Sequence, residues 1–273
     1  MPKSLLRAKV QYLATADGGK ATYYASEAGV DHAQAHDGQF RYCEVEIHNG
    51  RNNPNWNVDK EGFQLLADQS TSVTDFQNEE QVTSVFYKEV EEILLKHIKG
   101  ATRVEIFDHT RRASTAALRQ RLQCREPSAI VHNDYTGKSA TKRLYDMLPE
   151  EAPSLSQKRF AIVNLWRSIA GTTVQSSPLA FCDSTSMNVH QELISVKRVA
   201  KNRIGELQMA LYSPDHKWYY FPQLLTAKEV LIFKTFDSCA DKNQFTIHTA
   251  LDGVGDVSVP RQSIEIRAFV FFD

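Results

Sequence analysis

The sequence predicts a mainly β fold with peripheral helices, arranged as one antiparallel barrel or sandwich. Three observations lead there. From residue 159 onward, strand-like runs follow one another, separated by clusters of Pro, Gly, Asp and Asn. Clear helical patterning is confined to segments before these strands. No repeat, low-complexity tract or linker divides the 273 residues, and barrels of this length are commonly single domains. The expectation is one domain over 1–273, with 1–75 as an irregular N-terminal extension or cap.

Residues 1–70 alternate weakly and carry the turn signals ADGG, HDG, HNGRNNPN and DKEG. They read as short strands or hairpins with irregular connections, including a long loop from Asn49 to Lys60. The clearest helix spans Glu79 to Ile98. Asn78 and Gln81 have capping-box spacing, and Gly100 sits where a C-terminal glycine belongs. Val82, Val85, Phe86, Val90, Ile93 and Leu94 recur at helical spacing, so this helix supports a sheet. A strand is expected over Arg103–Phe107 and a helix over Lys138–Leu148, ended by Pro149. The later strands are expected at Phe160–Trp166, Leu193–Val199, Glu206–Tyr212, Lys217–Phe221, Val230–Phe236, Phe245–Ala250 and Ser263–Phe271.

Composition narrows the function. At 42% hydrophobic and 24% charged residues, the chain can build a sizeable core. Lys plus Arg is 32 against 33 for Asp plus Glu, a net charge of −1. That balance gives no general attraction to nucleic acid or anionic membrane. Trp56, Trp166 and Trp218 are dispersed and form no base-stacking platform. Cys43, Cys124, Cys182 and Cys239 make no CxxC pair and read as free thiols in a reducing compartment. MPKSLLRAKV lacks a secretory apolar core, and no run of about 20 apolar residues occurs. A cytoplasmic protein without a membrane span is expected. No GxGxxG or Walker pattern supports nucleotide binding.

The sharpest local signal is Ile130-Val131-His132-Asn133-Asp134-Tyr135-Thr136. On an extended strand, His132 and Asp134 point to one face and can reach one cation. Alone, this pair is weak evidence, because it also occurs by chance and an ordinary hydrogen bond is the plainer reading. His248, in a late strand, supplies a third donor. Two histidines and one carboxylate form the facial triad of non-haem iron(II) oxygenases. Zinc accepts the same set, so the triad alone leaves hydrolysis open. Thirteen positions after His248 comes Arg261-Gln262-Ser263. Arg261 and Ser263 share a strand face, and a guanidinium fork beside a hydroxyl is a good receptor for the distal carboxylate of 2-oxoglutarate. The combined pattern favours iron(II), 2-oxoglutarate and O2 over the zinc reading.

Further phrases extend the pattern: Phe107-Asp108-His109-Thr110, Asn164-Leu165-Trp166-Arg167, Pro178-Leu179-Ala180-Phe181-Cys182-Asp183, Trp218-Tyr219-Tyr220-Phe221-Pro222, Glu229-Val230-Leu231-Ile232-Phe233-Lys234 and Arg261-Gln262-Ser263-Ile264-Glu265-Ile266-Arg267. In these, from Gly62 to Asp273, the chain resembles the fungal and bacterial AsaB-type hydroxylase/desaturase family, which takes in CmcJ-like and NvfI-like non-haem iron oxygenases. The resemblance implies a double-stranded β-helix, or jelly-roll/cupin-like, core. It implies oxidoreductase chemistry on secondary metabolites such as terpenoids or meroterpenoids. Outcomes in the family are hydroxylation, desaturation and, in one meroterpenoid branch, endoperoxide formation. It assigns His132, Asp134 and His248 as catalytic metal ligands, and Arg261 with Ser263 as the cosubstrate clamp. Ala250-Leu251-Asp252-Gly253 departs from the Pro-rich turn of many relatives without touching the ligands.

The competing readings are a zinc hydrolase on the same triad and a non-catalytic cupin-like binding protein. Arg167 is the runner-up cosubstrate anchor, against an ordinary salt-bridge role. Asp108 and His109 are read as structural, with support of the metal site as the alternative. Arg111 and Arg112 are read as solvated, with contact to a substrate carboxylate as the weaker case. Glu265 and Arg267 are expected to pair and steady the clamp. Asn202 and Arg203 are rim candidates, Thr172, Thr173, Gln175 and Ser176 a polar mouth loop, and His190 and His216 non-ligands. The expected partner is a small natural product, neutral or weakly polar because no second strong anion receptor is visible. A homodimer is a further expectation, with the N-terminal region covering a neighbour.

Overall fold

Period-two patterning dominates the chain and yields fifteen strands in two sheets among the described residues. The structure is a computed structural model describing residues 5–15, 21–25, 27–28, 35–200, 203–224 and 228–273. The first half holds β1 (Leu5–Leu13), β2 (Thr22–Tyr24), β3 (Ala35–His36), β4 (Phe40–Asn49) and β5 (Phe63–Leu66). Then come α1 (Glu79–Gln81), a π-helical turn (Val82–Phe86), α2 (Tyr87–His97), β6 (Ala101–Ala113), α3 (Ala116–Leu122), β7 (His132–Asn133), α4 (Gly137–Met147) and α5 (Ala152–Leu155). The second half holds β8 (Phe160–Ser168), β9 (Leu179–Cys182), α6 (Val189–Glu192), β10 (Leu193–Ala200), β11 (Arg203–Ala210), β12 (Trp218–Tyr220), β13 (Val230–Asp237), β14 (His248–Ala250) and β15 (Gln262–Phe272).

The larger sheet runs β1-β4-β12-β9-β14-β7-β11-β10-β2-β3, and the smaller β5-β13-β8-β15-β6. Their inner faces meet over an aromatic core that includes Phe63, Trp166, Phe181, Phe221 and Phe233. Phe63 and Phe181 stack across the two sheets with ring centroids 4.9 Å apart. The result is a mixed β half-barrel with peripheral helices, of the double-stranded β-helix kind. Gly62 permits one close approach in it. Its φ of +99° favours glycine, and a Cβ there would lie 2.3 Å from Thr246 Oγ1. The Gly62 carbonyl accepts from Thr246 Oγ1 and from the Lys234 amide, both at 2.8 Å.

The N-terminal segment contributes more regular structure than the weak alternation suggested. β1 and β4 pair antiparallel from Leu5↔His48 to Leu13↔Phe40. Bridges from Gln11 to Ile130 and from Leu13 to Leu211 return β1 to the same sheet. Val10, Tyr12, Val45 and Ile47 thereby share a core with Val131, Cys182 and Trp218. β6 also outruns its expected end at Phe107, so Asp108 and His109 lie inside a strand. The strand expected over Phe245–Ala250 keeps ladder pairing only at His248–Ala250. β9 and α3 carry too little pattern to announce themselves. The turn signal at 16–19 lies outside the described residues. The four cysteines are free, and no described helix is long and apolar enough to cross a membrane.

The outer face of the smaller sheet carries Leu165, Val230, Ile232, Ile264, Ile266 and Ala268, and packs on Phe86, Val90 and Leu94 of the helical segment. Asn78 caps that segment by accepting from the Gln81 amide at 3.1 Å. Leu94 is fully buried in this layer. Leu94→Ala should therefore lower unfolding free energy by about 2–5 kcal/mol. Urea denaturation followed by circular dichroism measures this; an unchanged midpoint would contradict the packing.

Candidate metal centre

Local sequence places the first two donors. Ile130 and Val131 are buried β-branched residues, and the Val131 amide donates to Gln11 O at 2.9 Å. Thr136 then starts α4 with a capping box to Ser139, so the strand ends at once. His132 and Asp134 are held between these two fixed points. His248 comes from the adjacent strand, directly opposite His132 in the ladder. One ligand atom from each of the three lies within 4.8 Å of the others.

The spare atoms of each donor are occupied by protein. His132 Nδ1 donates to Ile130 O at 2.7 Å, and His248 Nδ1 donates to Thr246 O at 3.0 Å. With Nδ1 engaged in both, Nε2 is the ring nitrogen each histidine can turn to a metal. Asp134 Oδ2 accepts from Asn164 Nδ2 at 2.8 Å and from Arg267 Nε at 3.4 Å. Its Oδ1 lies 3.6 Å from His132 Nε2. Burial opposes the carboxylate charge, but Arg267 and the contact from His132 outweigh it and hold the carboxyl well below its ordinary range. Burial, with help from His132, pushes the His248 imidazole down to about 3, so it stays neutral. Two imidazoles and one carboxylate, each with its other polar atom tied, suit iron(II).

The smaller sheet supplies the surroundings by register. Ser263, Glu265 and Arg267 of β15 lie opposite Arg112, Thr110 and Asp108 of β6. Glu265 and Arg267 also lie opposite Trp166 and Asn164 of β8. Opposed residues share a face, and this face looks inward. Arg267 donates to Glu265 Oε1 at 2.7 Å and to Asp108 Oδ1 at 2.9 Å, besides contacting Asp134. The expected Glu265–Arg267 pair is present, and its guanidinium reaches the metal site itself. Asp108 supports Asp134 through Arg267. His109 is on the other face, where its Nδ1 meets Tyr87 Oη at 2.8 Å.

Arg261 and Ser263 lie on the inward face and are buried. Arg261 Nε donates to Ser263 Oγ at 3.1 Å and Nη1 to Ser177 O at 2.7 Å. Its guanidinium carbon stands 5.0 Å from the Trp166 ring centroid. Burial, and then the charge of Arg112, push Arg261 down to about 9. Trp166 Nε1 beside it is buried without a hydrogen-bond partner among the described residues.

Arg167 corrects the runner-up expectation. It lies opposite Ile264, on the outward face, bonded to the Gln69 carbonyl and 5.7 Å from the Phe86 ring centroid. Period two puts it across the sheet from Asn164, away from the triad. Arg111 is likewise outward, 2.5 Å from Glu79. Arg112 is inward and is not simply solvated. It lines the pocket at His132 and Asp134 together with Arg125, Arg198 and Arg267. Residues remote in sequence are thus brought by folding to one pocket beside the triad. Asn164 was also missed as a functional residue, although its two-residue spacing from Trp166 already placed it on the inward face.

The other candidates sort simply. His216 is structural, bonded to Tyr12 Oη and Glu192 Oε2, both at 2.9 Å. Trp218 is a core residue whose Nε1 donates to Tyr12 Oη at 2.8 Å. Ser176 accepts from the Arg261 amide at 3.2 Å. Arg203 starts β11, and Asn202 lies outside the described residues.

Comparison with known proteins agrees with this architecture. A family described as an oxidoreductase/YMDC permease-like domain matches residues 10–271. A hydroxylase/desaturase of Cercospora beticola is 31% identical, covering 94% of this chain and 83% of that protein. An alpha-ketoglutarate-dependent dioxygenase, phiK, of a fungal species is 31% identical over 79% of each chain. The solved iron and alpha-ketoglutarate-dependent endoperoxidase NvfI superposes with a TM-score of 0.82 over 98% of each chain. At 21% identity, that likeness shows the shared fold. With the matched family spanning nearly its whole length and the triad assembled, the chain belongs to the hydroxylase/desaturase family of non-haem iron oxygenases.

Proposed function

We propose that this protein is an iron(II)/2-oxoglutarate-dependent oxygenase that modifies a C–H bond of a secondary metabolite with a terpenoid or meroterpenoid skeleton. The observation that carries the reading is the state of the three donors. Nδ1 of both histidines and Oδ2 of Asp134 are used within the protein, leaving Nε2, Nε2 and Oδ1 for one ion. Three protein ligands leave coordination positions for a chelating cosubstrate and an oxidant. The names of relatives, a hydroxylase/desaturase and an alpha-ketoglutarate-dependent dioxygenase, support the same class.

Bound iron(II), 2-oxoglutarate and O2 supply the power to abstract hydrogen, with succinate and carbon dioxide released from the cosubstrate. The protein's part is positioning. His132, Asp134 and His248 hold the ion, and Arg267 keeps Asp134 ionised. Arg261 offers its remaining guanidinium donor, with Ser263 and the unpartnered Trp166 Nε1 beside it, to the distal carboxylate of 2-oxoglutarate. Substrate orientation then decides among hydroxylation, desaturation and endoperoxide formation. A zinc hydrolase needs a free general base near the ion. Glu265 is bonded to Arg267, and the other charged groups of the pocket wall beside the triad are arginines.

Alanine at His132, Asp134 or His248 should each weaken iron(II) binding by more than the roughly 10–100-fold that follows loss of a supporting partner alone. Anaerobic metal titration measures it, and wild-type affinity in all three variants would remove the assignment. Arg261→Lys should weaken 2-oxoglutarate binding about ten- to a hundredfold while sparing iron, because one ammonium cannot hold Ser263 and the Ser177 carbonyl in the guanidinium's geometry while also donating to the cosubstrate. Ser263→Ala should act in the same direction more weakly. Arg167→Lys should leave cosubstrate affinity at the wild-type value. These are read from the metal-to-ligand charge-transfer band during anaerobic titration; unaltered binding in Arg261→Lys would reject the clamp.

A further inference from the structure

Three arginines near the triad have no task in the proposed chemistry. Arg112 comes from β6, Arg125 from the segment after α3, and Arg198 from β10. Arg125 is fixed by backbone bonds to β6: its amide donates to Arg111 O at 3.0 Å, and its carbonyl accepts from the Ala113 amide at 2.9 Å. Arg198 sits opposite Tyr23 in the β10–β2 ladder. Arg112 Nη1 donates to Glu126 O at 2.7 Å. All three line one pocket with His132 and Asp134.

The pocket's negative charge is already committed. Asp108, Asp134 and Glu265 all contact Arg267. Among the described residues, no carboxylate forms an ion pair with Arg112, Arg125 or Arg198. Burial, followed by the like charges of Arg112, Arg198 and Arg267, pushes Arg125 down to about 10. Burial, followed by Arg267 and Arg203, also lowers Arg198. Clustered cations held out of water are stabilised by an incoming anion, and guanidinium forks match a carboxylate.

We propose that Arg125 and Arg198, with Arg112 at the edge shared with the cosubstrate clamp, form a receptor for a carboxylate group on the organic substrate. The inference rests on the oxygenase reading and narrows its substrate class to polycyclic carboxylic acids. Two features separate this receptor from the clamp. Arg261, Ser263 and Trp166 lie on β15 and β8 or just beside them, whereas Arg125 and Arg198 come from other walls. The space enclosed beside the triad is also narrow, about 30 Å³, which admits a terminal carboxylate rather than a ring system. Tyr23, Leu207 and Met209, all buried, give the same pocket a largely apolar wall for the carbon that bears the carboxylate.

The test uses the iron(II)-loaded protein, anaerobic and saturated with 2-oxoglutarate. Abietic and ursolic acids, each beside its methyl ester, are titrated by calorimetry into wild type, Arg125→Gln and Arg198→Gln. Wild type should bind at least one acid roughly tenfold more tightly than its ester, and both variants should bring that ratio to about one. Unfolding midpoints confirm that the variants are folded, and Arg125→Lys, which keeps the charge, should retain part of the preference. No acid preference in wild type, or a preference that survives both neutral variants, overturns the inference. Weakened 2-oxoglutarate binding in Arg125→Gln and Arg198→Gln would assign the cluster to the cosubstrate and also overturn it. Unchanged 2-oxoglutarate binding in Arg261→Lys would instead strike the clamp alone, so the two failures are distinguishable.

Discussion

The contact between Arg267 and Asp134 ties the site together. Asp134 follows β7 of the larger sheet, while Arg267 and Asn164 stand on β15 and β8 of the smaller one. A single guanidinium thus joins the two walls of the half-barrel at the metal ligand. It also satisfies Glu265 and Asp108. Removing one partner of a buried ion pair typically costs about 3–5 kcal/mol, because the remaining charge is stranded. Here three carboxylates depend on the same cation. The contact therefore keeps the anionic ligand ionised and occupies one of its oxygens.

Electrostatics around that tie explain how a buried site can attract anions. Asp134 is the sole carboxylate in the ligand triad, and both imidazoles are held by backbone carbonyls. Arg261 lies just before β15, and Arg112, Arg125 and Arg198 line the pocket beside the triad from β6, the segment after α3 and β10. A net charge of −1 for the chain conceals this local excess of positive charge.

Much of this was legible in sequence because alternation carries it. The helix after Asn78, the strand of Arg261 and the triad all follow from local period and residue chemistry. The sharing of one face by Arg261, Ser263, Glu265 and Arg267 follows from strand geometry alone. What escaped was tertiary. Arg112 looked solvated beside Arg111, yet the strand continued past Phe107 and turned the two to opposite faces. Arg125 and Arg198 join Arg112 only when β10 and the segment after α3 meet β6. Arg167 looked like an anchor because its apolar strand was visible while the direction of its face was not. β1 and β4 were obscured by weak alternation, since much of their regularity comes from pairing with each other.

The central claim is that His132, Asp134 and His248 hold iron(II) with positions left for 2-oxoglutarate. X-ray absorption fine structure of the anaerobic iron(II)-loaded protein, with and without 2-oxoglutarate, tests it most directly. The account predicts two imidazole ligands in both states, oxygen donors in the remaining positions and no sulfur. It also predicts that 2-oxoglutarate changes the oxygen shell while leaving the imidazole count unchanged. Sulfur scattering, or fewer than two imidazoles in the loaded wild-type protein, would contradict it.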